Sequence, residues 1–167
     1  MCDGVVRILG AVMAGAACAY FGIRQRFTLK KRAESLAQIH TSLEALENEI
    51  SFSVNRLAKA FKAADRCGIF ALAAENITET GAGAALKKAV TKMQDKLCLT
   101  DADCAALMTL SANLGRTDRE GQIKNIRYVK SLIAAQQTAA ETEYNRRAKL
   151  YSSGGLLIGA AVVIVLI

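Results

Sequence analysis

Leu36–Phe61, LAQIHTSLEALENEISFSVNRLAKAF, decides the fold class. Its apolar positions Leu36, Ile39, Leu43, Leu46, Ile50 and Leu57 follow a three-and-four spacing, with Val54 and Phe61 widening the stripe. That spacing is a heptad and predicts a long amphipathic helix. Glu44, Glu47, Asn48 and Lys59 fill the other faces, so one stripe seeks a partner helix from the same chain or another subunit. The pattern ends near Arg66, Cys67 and Gly68.

Toward the C-terminus, Ile69 to Asn76 is a short apolar piece, Thr80-Gly81-Ala82-Gly83 reads as a loop, and Ala84 to Lys96 resumes helical composition. Thr100 before Asp101 and Asp103 predicts a helix start, because its hydroxyl can accept an orphan backbone N–H while the acids favour the positive end of the helix dipole. That helix is expected to run to Leu114. Gly115 suits the left-handed position past a helix end, and Asp118 suits the N-cap of a last helix carrying Ile123, Ile126, Val129 and Ile133 at core spacing. The chain of 167 residues contains no proline and shows no strand alternation. The expected fold is all-α, an antiparallel helical bundle.

The two ends differ from this body. Ile8–Ile23 and Leu150–Ile167 contain no charged side chain. They reach roughly 24 and 27 Å as helices, near the bilayer core of about 30 Å. With Val5 and Val6 added, and Arg7 snorkelling, residues 5–23 are expected to span a membrane. Residues 150–167 would span a thin or locally thinned bilayer. Cleavage of the first segment as a signal peptide is disfavoured, since five cations follow it. A lipoprotein signal is disfavoured because Gly15, Ala16 and Ala17 precede Cys18.

The net charge of +7 sits at the inner flanks of these runs. Arg24, Arg26, Lys30, Lys31 and Arg32 follow the first, and Arg146, Arg147 and Lys149 precede the second. Of the 22 Lys/Arg, these eight and Arg7 leave thirteen for residues 33–145; of the 15 Asp/Glu, Asp3 leaves fourteen. A nearly neutral body offers no basic face for phosphates, which argues against nucleic acid. Basic flanks inside two apolar runs are the positive-inside pattern, so residues 24–149 are expected in the cytoplasm as one helical domain with both ends across a membrane.

No catalytic grouping is evident. His40, the single histidine, has no cysteine or acid at metal spacing. Cys2, Cys18, Cys67, Cys98 and Cys104 are odd in number and lack a Cys-x-x-Cys, which fits reduced thiols. Gly81-Ala82-Gly83 lacks the lysine and hydroxyl residue of a phosphate loop, and Glu47 and Glu49, two apart, point to different helix faces. No enzyme activity, cofactor, metal or small-molecule substrate is expected.

The distinctive motif is Leu114-Gly115-Arg116-Thr117-Asp118-Arg119-Glu120-Gly121-Gln122, an LGxxDxxxQ pattern leading into a helix that ends in an apolar run. Together with Leu43-x-x-Leu46-x-x-Glu49-Ile50 and an apolar segment at each end, the whole chain resembles the stage III sporulation protein AB family. That family is similar to the cytoplasmic helical domains of the F-type platform protein of type II secretion and type IV pilus machines. The resemblance implies a six-helix bundle, a scaffold in the mother-cell membrane around the forespore, and partners among the other stage III sporulation channel proteins, including the AA ATPase. Within the motif, Leu114, Gly115, Asp118 and Gln122 read first as a tight helix connection and second as a partner contact. Glu49, beside the buried stripe, either pairs with a bundle cation or faces a partner, pairing being the commoner fate. The reading that needs no family is a membrane-tethered helical adaptor or sensor that forms a homo-oligomer through the heptad stripe.

Overall fold

A computed structural model describes residues 2–52, 57–115 and 117–166, with side chains at Tyr20 and over 24–51, 57–115 and 117–147. Among the described residues there are six α-helices and no strand: α1 (Cys2–Phe52), α2 (Leu57–Ala64), α3 (Ile69–Thr80), α4 (Ala82–Leu97), α5 (Asp101–Asn113) and α6 (Arg119–Leu166). The chain divides into two units, residues 31–140 and residues 1–30 with 141–167.

The unit of residues 31–140 is a helical bundle in which α2 packs on α3, α3 on α4 and α4 on α5. The heptad stripe is consumed inside it: Leu36, Ile39, Leu43 and Leu46 are fully buried in the single chain. They share the core with Phe61, Phe70, Leu86, Leu107, Leu110, Ile126 and Ile133. Burying each such side chain is worth about 1.5–3 kcal/mol. The Phe61 and Phe70 rings meet edge-to-face at 5.4 Å, joining α2 to α3. The part of the stripe from Leu36 to Leu46 is closed within one chain and is not available for pairing with a second copy, while Ile50 and Leu57 are half-buried.

Several details depart from expectation. The stripe is described in α1, as far as Phe52, and in α2, which carries Leu57 and Phe61; residues 53–56, Val54 among them, lie outside the described residues. The apolar piece after Gly68 extends to Thr80 as α3. The expected loop at residues 80–83 shrinks to Gly81, at φ 81°, ψ 159°, a conformation that only glycine adopts readily. Gly83 instead lies in α4, where a β-carbon would stand 2.3 Å from the Ser111 carbonyl oxygen. Its missing side chain lets α4 and α5 approach backbone to backbone.

In the second unit, Arg24, Arg26, Lys30 and Arg146 are exposed, and Arg147 pairs with Glu143 at 2.7 Å, one turn away on α6. The side chains of residues 5–19, 21–23 and 149–167, which include Lys149 and most of both expected membrane segments, lie outside the described residues. Among the described residues no helix is long and apolar enough to cross a membrane.

Candidate functional site

The LGxxDxxxQ connection between α5 and α6 is held chiefly by its own hydrogen bonds. Leu114 is buried and anchors its start. Gly115 follows at φ +74°, the left-handed conformation expected for it, and a β-carbon there would add strain although its nearest neighbour, the Ala82 β-carbon, is 3.6 Å off. Asp118 caps α6: its Oδ1 accepts the Gly121 N–H at 3.2 Å. Gln122 donates from Nε2 to the Thr117 carbonyl at 3.1 Å, across the turn. A β-carbon on Gly121 would stand 2.7 Å from Asp118 Oδ1, so this glycine makes room for the cap. Arg116 lies outside the described residues.

Neighbouring residues tie the connection to other helices. Arg119 Nε donates to the Ile50 carbonyl of α1 at 2.7 Å. Asn125 Nδ2 donates to the Leu110 carbonyl at 3.3 Å, satisfying an acceptor in the last turn of α5. Leu114 and Gly115 also border a shallow groove of about 730 Å³ whose opposite wall is Gly81–Ala84.

Two polar joints hold α1 to other helices. In the first, Arg32 Nε lies 2.8 Å from Asp103 Oδ2 and its Nη2 2.9 Å from Oδ1, a two-pronged pair. Asp103 is completely buried and sits at N3 of α5, where its Oδ2 accepts the Thr100 N–H at 2.9 Å while Thr100 Oγ1 accepts the Asp103 N–H. Burial alone would raise its pKa, but bonds from Arg32 and from the Thr100 backbone and hydroxyl outweigh that and hold it below the ordinary carboxylate range. Arg32, expected as a membrane-flanking cation, is therefore a bundle cation.

The second joint corrects the assignment of Glu47 to an outer face. Glu47 is buried, with Lys130 Nζ 2.6 Å from Oε2 and Arg127 Nε 2.6 Å from Oε1, tying α1 to α6. Hydrogen bonds from Lys130 and then Arg127 lower its pKa. Glu49 is half-buried, and no ion pair to it is found among the described residues. The pairing expected for a carboxylate beside the stripe thus falls two residues earlier. The signal was available: Glu47 is four residues from Leu43, on the shoulder of the stripe, and Arg127 and Lys130 flank Ile126 and Val129 in the same way.

The thiols of Cys67 and Cys104 are free and buried. Burial pushes Cys67 up to about 11 and raises Cys104 as well, so neither is an activated nucleophile. His40 is half-buried on α1. Among the described residues no group of three His, Cys, Asp or Glu could hold a metal ion.

Buried charges spent on helix-to-helix joints and a connection closed on itself define an all-α helical-bundle domain. The stage III sporulation protein AB family model matches residues 7–167, and the chain belongs to that family. It is 24% identical over 170 residues to stage III sporulation protein AB of Bacillus subtilis (strain 168), covering 97% of this chain and 99% of that protein. A solved structure of a stage III sporulation protein AB superposes with a TM-score of 0.63 at 22% identity, covering 69% of this chain and 97% of that one, a likeness of fold.

Proposed function

We propose that this chain is a non-enzymatic, membrane-anchored platform in a secretion-like channel complex between mother cell and forespore. The observation that carries this reading is the family match over almost the whole chain. The buried carboxylates add support, since both are neutralised in joints between helices rather than held ready for chemistry. Residues 5–23 and 150–167 serve as anchors, with the cations Arg24, Arg26, Lys30, Lys31, Arg146, Arg147 and Lys149 on the cytoplasmic side. The other stage III sporulation proteins, including the AA ATPase, are its partners, and the LGxxDxxxQ connection is structural first. The homo-oligomeric adaptor reading is disfavoured because Leu36, Ile39, Leu43 and Leu46 of its contact stripe are already buried.

Isolation of the tagged chain from sporulating cells tests the assignment. It should remain in membranes through alkaline carbonate and bring down the ATPase and channel proteins; recovery in the soluble fraction without them overturns the reading. Orientation has a separate test: in non-sporulating cells, Lys92→Cys in a chain whose native cysteines are replaced should resist a membrane-impermeant thiol reagent, whereas a chain keeping only Cys2 should react with it.

A further inference from the structure

Tyr20 and Phe27 are 69% and 71% exposed on α1. They stand seven residues apart with the exposed Arg24 between them, and offsets of four and three set all three along one stripe of about 10 Å. Arg26 is also exposed beside Phe27. Between Asp3 and Glu34 the sequence contains no acidic residue, and the uncharged run Ile8–Ile23 includes the start of this stripe.

A stripe that alternates aromatic ring, guanidinium and aromatic ring suits an interface that is apolar at one depth and anionic at the next. Aromatic residues favour that boundary, and arginine reaches phosphate from it. A dry protein pocket would instead have to desolvate Arg24 between two rings. Without any acid nearby, the segment complements a negatively charged surface. We propose that Tyr20, Arg24 and Phe27, with Arg26 alongside, form a seat for anionic phospholipid headgroups that fixes how deeply α1 enters the bilayer. This rests on the membrane-anchor reading.

The chain contains no tryptophan, so Phe27→Trp gives the full-length protein a single indole, excited selectively over its tyrosines, at an exposed position. Reconstituted into vesicles of phosphatidylcholine and phosphatidylglycerol, it should emit to the blue of a water-exposed indole. At equal total bromine, brominated phosphatidylglycerol should quench it more than brominated phosphatidylcholine. That preference should weaken by roughly fivefold for each of Arg24→Gln and Arg26→Gln, and further in high salt. Water-like, unquenched emission from a chain that stays in the vesicles through carbonate overturns the seat and leaves the anchor standing. Equal quenching by both brominated lipids also overturns it, as does a blue shift seen only when channel proteins are added. Release of the chain by carbonate overturns the anchor and the seat together.

Discussion

Helices α5 and α6 begin on the same chemistry and stand in opposite situations. At the start of α5, Thr100 and Asp103 cap each other while Asp103, wholly buried, also receives Arg32 from α1. At the start of α6, Asp118 performs the same capping from an exposed position, with no side chain of another helix bound to it among the described residues. A helix-start signal in sequence thus reports a local bond and is silent on what else the carboxylate holds. The first cap is a joint of the bundle; the second closes a turn.

Acidification should have the largest effect, because it discharges Asp103 and Glu47 together. Both have folded pKa values below their unfolded ones. The stability they contribute is therefore present above an unfolded pKa of about 4 and lost as pH falls through the lower folded values. Denaturation midpoints of the full chain in detergent should be nearly flat from neutral pH to about 5 and fall below about 4. A midpoint unchanged down to pH 2 would break the assignment of both joints.

Arg32→Ala should come next, costing about 3–5 kcal/mol by stranding a buried carboxylate. Glu47→Gln should cost less, about 1–3 kcal/mol, since Arg127, two-thirds exposed, can return to water while the amide keeps one bond to Lys130. Asp118→Ala should cost the least, about 1 kcal/mol, as expected for an exposed cap. Equal losses for Arg32→Ala and Asp118→Ala would erase the distinction between the two helix starts. An unchanged midpoint for Asp118→Ala, with weaker recovery of the ATPase, would turn the α6 cap into an interaction site.

Local rules were the most readable part of the sequence. Periodicity located Leu36, Ile39, Leu43, Leu46, Ile126, Val129 and Ile133, all of them buried, and cap chemistry located Thr100, Gly115 and Asp118. Both depend on neighbours within a few residues. The place of Glu47 on the shoulder of the stripe was legible, but which partners meet was not, because Arg32 and Asp103 are 71 positions apart, and Glu47 and Arg127 are 80 apart. A flanking arginine looks the same in sequence whether it meets a phosphate or a buried aspartate. Gly83 was misread for a related reason: its purpose lies in the Ser111 carbonyl of another helix.

The end of α4 bears on how the purified protein will age. Cys98 occupies the left-handed position there at φ 56°, with its N–H and that of Leu99 turned back to the carbonyls of Asp95 and Gln94. Of the three thiols with described side chains it alone is not buried, so peroxide or a maleimide would reach it before Cys67 or Cys104. Glycine or asparagine tolerates that backbone better than cysteine does. Cys98→Gly should therefore remove an oxidation-prone thiol at no cost in stability, leaving a more durable preparation.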